Sequence, residues 1–203
     1  MFKRRQTLKP HTVIWALIWP KGGWGRAGRY LWHRVSRLPG SPNSIAAGLA
    51  CGAAMSLTPF VGAHFFLAAF LVWLIRGNLL AAAFGTILGN PWTFPVIWLG
   101  SYHIGALMLR GENVLPADEV DFTAVFANLV RSTIELDSSL FLTAVWPVLS
   151  TMILGSVPCV ILSWTLIFFL TRRSIEIYQQ KRMARMKLKQ SNIALDEYRE
   201  SGL

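Results

Sequence analysis

Charged residues are scarce in this sequence, and they are absent from three long stretches of it. Only 15% of the 203 residues are Asp, Glu, Lys or Arg, whereas a soluble domain carries about 25%. No charged residue occurs in residues 44–75, 77–109 or 138–171, here named runs one, two and three. Each run is longer than the roughly 20 residues that a membrane-spanning helix needs. These absences argue against a soluble globular domain and predict an all-α integral membrane protein.

The residues that catalysis requires are missing as well. The runs contain no Asp or Glu, so a carboxylate proton relay is excluded. No metal-ligand spacing, phosphate-binding glycine loop or nucleophile elbow occurs. The two cysteines, Cys51 and Cys159, lie inside runs and are interpreted as small buried apolar residues. We therefore expect no enzyme activity, no metal and no cofactor.

The charges that are present are distributed unevenly. Residues 1–42 hold nine Lys or Arg and no acid, and residues 172–203 hold eight against four acids. The connector between runs two and three, residues 110–137, has two arginines and six acids. Basic ends around apolar runs follow the positive-inside rule, so both termini are predicted in the cytoplasm and the acidic connector outside. A nucleic-acid partner is not expected, because a basic patch that binds DNA needs a folded soluble module.

Three regions follow from this distribution. Residues 1–42 are predicted to form an interfacial amphipathic segment, with a cytosolic lead-in as the alternative. Residues 43–171 form the membrane domain, and residues 172–203 form a basic cytoplasmic helical tail that either docks on headgroups or a partner or is simply solvated. The interfacial segment is predicted from aromatic residues interleaved with basic ones: Trp15, Trp19, Trp24, Tyr30 and Trp32 with Lys21, Arg26, Arg29, Arg34 and Arg37.

The runs are too long for straight membrane helices and contain prolines. A helix of 32 residues is about 48 Å long, whereas the hydrocarbon core is about 30 Å thick. Proline removes a backbone donor and pushes the preceding residue out of the helical region. Prolines follow Thr58, Asn90, Trp146 and Val157 within the runs. Each run is therefore predicted to be broken into half-helices or a re-entrant hairpin.

Two of these breaks have the chemistry of a helix start. Thr58-Pro59 and Asn90-Pro91 each place a good N-capping residue before a proline at the first helical position, and Ser41-Pro42 repeats the pattern before run one. A helix N-terminus presents unpaired amides and partial positive charge. Inside a membrane, protein, water or a ligand must satisfy those amides. We expect them to bind an anion, as in transporters with discontinuous helices; the alternative is a proline kink that serves packing.

Polar residues near the breaks complete the candidate site. Arg76 is the only charge between residues 44 and 109, and its guanidinium is expected to bind phosphate or carboxylate in a vestibule shared with Asn78 and Asn90. Snorkelling of Arg76 to the headgroups is the alternative. The histidines either line the cavity or form interhelical hydrogen bonds. The predicted site residues are Thr58, Pro59, Gly62, His64, Arg76, Asn78, Asn90, Pro91, Thr93 and His103.

The predicted topology constrains how the runs cross the membrane. With both termini inside and the connector outside, runs one and two together cross an odd number of times. At least one of them is then re-entrant, or the two divide into three spans. Their faces are rich in Gly and Ala, which lets helices approach closely, so we expect runs one and two to pack together.

The ordered motifs resemble a known bacterial membrane family, the domain of unknown function numbered twenty sixty-two. The resemblance covers about residues 30–170. It implies a bacterial inner-membrane protein, and other members are joined to glycosyltransferase-like domains, which suggests polyprenyl-phosphate or lipid-linked sugar metabolism. The motifs that carry it are Ser41-Pro42, Ile45-Ala46-Ala47-Gly48, Thr58-Pro59-Phe60-Val61-Gly62-Ala63-His64, Arg76-Gly77-Asn78 and Asn90-Pro91-Trp92-Thr93-Phe94-Pro95.

Two functions of different kinds fit these observations. The first is a small flippase-like transporter that binds an anionic lipid or related substrate at the proline-led helix starts. The second is a scaffold or accessory subunit of an envelope lipid or glycan synthesis enzyme, which does not transport. Expected partners are anionic membrane lipids, an envelope-synthesis protein of the glycosyltransferase type, or a second copy of the chain in a homo-oligomer.

Overall fold

The computed structural model describes residues 24–109, 115, 116 and 118–200, and every regular element in them is helical. The all-α prediction is therefore confirmed for the described residues. The chain forms two compact units, Met1–Pro39 and Gly40–Leu203. In chain order the elements are α1 Trp24–Val35, α2 Pro42–Met55, α3 Ala63–Leu74, α4 Leu79–Gly85, a 3-10 turn Thr86–Leu88, α5 Phe94–Met108, α6 Phe122–Ile134, α7 Ser138–Leu140, a π-helical turn Phe141–Val145, and α8 Trp146–Glu200.

The described part of the first unit is α1 with the turn that follows it. Its arginines are exposed, whereas Leu31 and Trp32 are half-buried, so the helix is amphipathic. An amphipathic helix is what the predicted interfacial segment requires; its position at a membrane surface stays a prediction. The contributions expected from Trp15, Trp19 and Lys21 lie outside the described residues.

Run one folds into a helical hairpin. α2 begins at Pro42, and the Ser41 hydroxyl accepts a hydrogen bond from the Ser44 amide at 3.2 Å, as the Ser-Pro pair predicts. The chain then turns through residues 56–62, here named the Thr-Pro loop, and α3 runs back. The Asn78 amide, just after α3, donates to the Ser44 carbonyl at 2.9 Å. Both ends of run one therefore meet at one place, which is the shape of a re-entrant hairpin.

The first half of run two packs in parallel against α2. A Cβ atom on Gly48 would lie 2.2 Å from the Asn78 carbonyl oxygen, and one on Gly52 would lie 2.0 Å from the Ala82 carbonyl oxygen. No methyl group fits at either position, so the two backbones are in direct contact, as the small-residue faces predict. Residues 89–93, here named the Asn-Pro loop, separate this half from α5. Run two is thus broken where the Asn-Pro pair predicts.

Run three is not broken, and that prediction was wrong. α7, the π-helical turn and α8 follow without a gap, and Pro158 lies inside α8. Pro147 falls in the first turn of α8, directly after the π-helical turn, whose wider backbone accommodates a residue without a donor. Gly155 serves close packing instead of a break, because a Cβ atom there would lie 1.9 Å from the Ser101 carbonyl oxygen. The basic tail continues this helix.

Helix α8 contacts the rest of its unit at two levels. α5 packs against it antiparallel, because Gly105 abuts the Thr151 carbonyl while Gly155 abuts the Ser101 carbonyl. Nine residues after Gly155, the Trp164 indole donates to a cysteine sulfur of α2 at 3.2 Å. The second half of run two and the hairpin are therefore stacked along one long helix.

The acidic connector contains a helix, α6, that the sequence analysis did not predict. Asp121 caps it, since its carboxylate accepts two first-turn amides at 2.9 and 3.1 Å. Apolar residues at spacings of three and four follow the cap, and that signal was available in the sequence. Residues 110–114 and 117 of the connector lie outside the described part, and the external location of the connector stays a prediction.

The second unit has large apolar side chains on its outside. Phe66, Trp73, Val96 and Leu162 are between 73% and 79% exposed. Among the described residues one helix, Ser138–Asn192, is long and apolar enough to cross a membrane by length and composition. The interior instead holds many small and hydroxylated residues, and its buried polar ones are Ser56, Thr58, His64, Thr86, Ser101, Ser132, Thr151, Ser156 and Thr171.

Candidate binding site at the two proline loops

The fold brings the two proline loops side by side. The Ser56 hydroxyl of the Thr-Pro loop donates to the Thr86 carbonyl just before the Asn-Pro loop, at 3.3 Å. A Cβ atom on Gly89 would lie 2.9 Å from the Ser56 Cβ, so the loops touch. Beyond the loops, the rings of His64 and Phe94 meet edge to face with centroids 5.6 Å apart. The two motifs of the sequence thus form one junction.

Thr58 does not begin a helix, contrary to prediction. The next helix begins at Ala63 and is preceded by Gly62, whose positive φ of 78° suits glycine. No side chain caps the start of this helix. The Thr58 hydroxyl instead donates to the Met55 carbonyl at 2.7 Å and closes the end of α2. The physical reason is the hairpin: the chain must reverse before α3, so the residue after Thr58, Pro59, lies in a loop and not in a first helical turn.

Asn90 does cap the start of the second half of run two, as predicted. Its Oδ1 accepts the Trp92 amide at 3.0 Å and the Thr93 amide at 3.2 Å. The Thr93 hydroxyl in turn accepts the Asn90 amide at 3.0 Å. Pro91 is exposed in this turn, and the regular α5 helix continues from Phe94.

These hydrogen bonds occupy the amides that the sequence analysis assigned to an anion. The Trp92 and Thr93 amides both pair with the Asn90 side chain. An incoming anion would have to displace that side chain, because each amide carries a single hydrogen. The helix dipole at this point remains favourable to negative charge, but the predicted cradle of unpaired amides is not formed by the Asn-Pro loop.

Arg76 and Asn78 lie at the opposite end of the hairpin. Twelve residues separate His64 from Arg76, which is about 18 Å along a helix. Arg76 is exposed, and the Asn78 Oδ1 caps α4 by accepting the Ala81 amide at 2.9 Å. The predicted vestibule shared by Arg76, Asn78 and Asn90 is therefore not formed.

His103 also lies away from the junction. It is exposed on α5, ten residues beyond Thr93, or about 15 Å along the helix. The predicted site residues therefore divide into two groups. Arg76, Asn78 and His103 are elsewhere, whereas the junction holds Thr58, Pro59, Gly62, His64, Asn90, Pro91 and Thr93.

The junction contains two buried polar atoms without a hydrogen-bond partner, and they stand out among the described residues. They are Nε2 of His64 and Nε1 of Trp98. His64 is 1% exposed, and its Nδ1 lies 3.3 Å from the Phe60 carbonyl. Since a carbonyl only accepts, Nδ1 carries a hydrogen, and Nε2 of the neutral ring is an acceptor. Both side chains contact the Phe94 ring, with centroids 5.6 and 6.1 Å from it.

Trp98 was missed by the sequence analysis, which selected charged, amide, imidazole and hydroxyl side chains together with the prolines and one glycine of the loops. Phe94 and Trp98 are four residues apart on α5 and so share one helix face. That spacing places Trp98 next to the Asn-Pro loop and was readable from the sequence. A tryptophan in an apolar run, however, gives no signal that its indole nitrogen is left unpaired.

A cavity of about 30 Å³ lies beside Trp98. This volume suffices for a single water molecule. Its lining comes from four separate parts of the unit: the Thr-Pro loop, α5, α6 and the beginning of the long helix. The lining residues are Pro59, Trp98, Phe122, Val125, Phe126, Leu129, Val145, Leu149 and Met152.

Metal-binding chemistry does not appear in the described part of the chain. No three His, Cys, Asp or Glu side chains there are close enough to hold a metal ion. Cys51 and Cys159 are free thiols, and Cys51 is buried. The polar groups at the junction are thus an imidazole, an indole, hydroxyls and an amide, which suit recognition by hydrogen bonds.

Comparison with known proteins identifies a family. Residues 25–184 match the family described as "Uncharacterized protein conserved in bacteria (DUF2062)". The match covers more than half of the chain, so the chain belongs to this family. No curated protein and no solved structure matches it.

Proposed function

We propose that this chain is a small multi-pass protein of the bacterial inner membrane that binds an anionic lipid or related amphiphile at the junction of its two proline loops. The ligand would carry a phosphate or carboxylate group. Movement of that group past the junction would make the protein flippase-like. The observation that carries the proposal is the unpartnered His64 Nε2 at the meeting point of both loops.

Exposed apolar side chains support the membrane location. Phe66 and Trp73 on α3, Val96 on α5 and Leu162 on α8 each expose at least 73% of their surface. Soluble proteins rarely leave apolar surface this extensive in water. The basic ends and the acidic connector favour an orientation with both termini in the cytoplasm.

The depth of the junction follows from its position along α8. α5 is antiparallel to α8, and Ser101 contacts Gly155. Phe94 precedes Ser101 by seven residues, or about 10 Å, and therefore lies beyond Gly155 in the direction of Trp164. This level is well inside the charge-free stretch 138–171. A polar junction at that depth is the arrangement that transporters with interrupted helices use.

The chemistry of His64 sets the ligand class. With Nδ1 donating to the Phe60 carbonyl, Nε2 is the ring atom that is left for a ligand. A protonated ring offers Nε2 as a donor with positive charge and suits a phosphate or carboxylate anion. Trp98 Nε1 adds a donor next to the same Phe94 ring. A buried polar atom without a partner is costly, so a ligand that supplies one gains affinity.

Two substitutions of His64 test the roles of its two ring nitrogens separately. His64→Asn keeps a donor near the Phe60 carbonyl and removes the group at Nε2, whereas His64→Gln places an amide near Nε2. We expect His64→Asn to lose co-purified anionic lipid in native mass spectrometry and His64→Gln to retain part of it. The exposed His103→Asn is the matched control and should bind as the unmodified protein does. Equal lipid occupancy in all four proteins would contradict the proposal.

The proposal also predicts a dependence on pH. Binding of an anion to the imidazolium takes up a proton, so the affinity for an anionic lipid should rise as the pH falls. The His64→Gln variant cannot take up this proton and should bind with an affinity that does not change with pH in the same range. A titration with a phosphatidylglycerol analogue would contradict the mechanism if both proteins showed the same pH profile.

A second function, a scaffold for an envelope-synthesis enzyme, is favoured by the long helix. Residues 181–192 of α8 are exposed throughout and carry five basic residues. The helix from Ser138 to Asn192 has 55 residues, or about 82 Å, which is far more than a membrane requires. If this is the function, removal of residues 181–203 abolishes partner pull-down and leaves lipid binding unchanged.

A further inference from the structure

We propose that α6 lies in the membrane–water boundary and inserts an apolar stripe into lipid. The stripe, here named the α6 stripe, consists of Phe126, Val130, Ile134 and Leu136. These side chains are 43%, 42%, 76% and 88% exposed. The inference rests on the membrane location proposed above, and it does not depend on the ligand.

The surface of α6 is divided into three faces. One face carries Phe122, Val125 and Leu129, which line the cavity beside Trp98, and Phe126 lies at the edge of this face because it lines the cavity as well. Within the α6 stripe, Phe126, Val130 and Ile134 follow at four-residue spacing and lie one above another along the helix, and Leu136 comes just after the helix end. A third face carries the Arg131–Glu135 ion pair at 3.0 Å. A helix in the boundary needs such a division between protein, lipid and water, because each face meets a different environment.

The contacts between α6 and the long helix indicate the depth of α6 relative to the membrane–water boundary. Val145 and Leu149, at the beginning of that helix, line the same cavity as α6. Trp146 lies between them and is 46% exposed. Tryptophan is enriched at the level of the lipid headgroups. α6 therefore lies where the charge-free helix meets the boundary, beside the exposed Leu142 that extends the apolar surface.

Leu136 supports lipid as the occupant. It follows the end of α6 with a φ of 52°, a conformation that glycine or asparagine usually provides at this position. The Asp137 amide donates to the Ser132 carbonyl at 3.0 Å and completes the helix end around it. A leucine that is 88% exposed gains nothing from this place in water, whereas in lipid it anchors the end of the helix.

Spin labels at four single cysteines test the inference in phosphatidylethanolamine–phosphatidylglycerol vesicles. The background is the full chain with Cys51→Ala and Cys159→Ala. Val130→Cys and Ile134→Cys report on the α6 stripe, and the exposed Ala124→Cys on the same helix is the matched control. Leu162→Cys reports on the membrane location itself.

We expect the labels at 130 and 134 to collide several-fold more with oxygen than with a water-soluble nickel complex, and the label at 124 to show the reverse. Equal nickel accessibility at 124, 130 and 134 would overturn the inference if the label at 162 remains in lipid. Nickel accessibility at 162 would instead overturn the membrane location. Dipolar broadening between labels at 130 would show that a second copy, and not lipid, covers the stripe.

Discussion

Arg76 occupies an unusual backbone conformation for its residue type. Its φ is 54°, a region that glycine adopts freely and other residues adopt at a cost. The Arg76 amide donates to the Trp73 carbonyl at 3.3 Å, and the Gly77 amide donates to the Val72 carbonyl at 2.8 Å. This pair of bonds is the Schellman motif that ends α3. Arginine holds the position where glycine would be the less strained residue.

The strain at Arg76 predicts that Arg76→Gly is more stable than Arg76→Ala. Both variants lose the charge, but only glycine relieves the backbone, by about 1 kcal/mol. Melting temperatures of the two purified variants in the same detergent measure the difference. A lower melting temperature for Arg76→Gly than for Arg76→Ala would show that the positive φ is not maintained in the protein.

At the residue scale, the Asn90-Pro91 and Thr58-Pro59 pairs form different hydrogen bonds although their sequences are similar. The Asn90 side chain accepts two amides ahead of it in the chain, whereas the Thr58 hydroxyl donates backward to a carbonyl. An Asn carbonyl can only accept, but a Thr hydroxyl can also donate to the preceding helical turn. The sequence alone therefore predicts a helix start at the Asn-Pro pair. At the Thr-Pro pair, a helix start depends on whether the chain continues or reverses, and the dipeptide does not determine this.

At the scale of elements, glycines set the distances between helices. Gly155 of α8 abuts the Ser101 carbonyl, and a Cβ atom would lie 1.9 Å from that oxygen. Gly100, on α5, has open space where its Cβ would lie. A backbone carbonyl cannot move aside as a side chain can, so a methyl group at Gly155 must push the helices apart.

Gly155→Ala should therefore destabilise the protein by about 1–3 kcal/mol, and the control Gly100→Ala should not destabilise it. Thermal unfolding followed by circular dichroism in detergent compares the two. If both substitutions leave the melting temperature unchanged, the direct contact of α5 and α8 is wrong.

Two aspartates at helix starts make stability depend on pH. The Thr123 hydroxyl and the Ala124 amide lower the pKa of Asp121 below its ordinary value of 3.8. The Leu140 amide and the Ser139 hydroxyl lower the pKa of Asp137 in the same way. Because the folded pKa values are lower than the unfolded ones, the ionised caps stabilise the fold above pH 3.8, and this contribution is lost as the pH falls through the lowered values.

Replacing both caps with asparagine tests this dependence. Asp121→Asn with Asp137→Asn keeps acceptors at both helix starts but removes the titration. The melting temperature of the double variant should fall less on acidification below pH 3.8 than that of the unmodified protein. An identical fall in both proteins would mean that these carboxylates do not stabilise the native state through their charge.

At the scale of the whole molecule, the hairpin sets how often the chain crosses the membrane in the proposed topology. Run one begins and ends at the same place, because the Asn78 amide is bonded to the Ser44 carbonyl. In the proposed topology run one contributes no crossing, while run two and run three each contribute one. This count agrees with the prediction that both basic ends lie on one side of the membrane and the acidic connector on the other.

The count predicts opposite labelling of two exposed positions. In the cysteine-free background, Asp118→Cys should react with a membrane-impermeant maleimide in intact cells, and Ser191→Cys should react only after the cytoplasmic membrane is opened. Labelling of both positions in intact cells, or of position 191 alone, would contradict the topology.

Patterns within short segments were predictable, and arrangements between segments were not. The Asn90 cap, the Ser41-Pro42 start and the close small-residue faces depend on neighbours in the sequence. The grouping of Arg76 with Asn90 failed because it depended on where α3 ends, about 18 Å from the junction. The unbroken run three also escaped prediction: Pro158 lies within α8, three residues after Gly155, where α5 packs directly against the helix.

Nitrogen NMR of the His64 ring tests the central claim most directly, because it observes the atom on which the proposal depends. In protein labelled with nitrogen-15 histidine, the His64→Asn variant assigns the signals. The account predicts that Nε2 of His64 changes from the unprotonated to the protonated range when phosphatidylglycerol is added, and that phosphatidylcholine has no such effect. An Nε2 signal that stays in the unprotonated range at every concentration of the anionic lipid would contradict it.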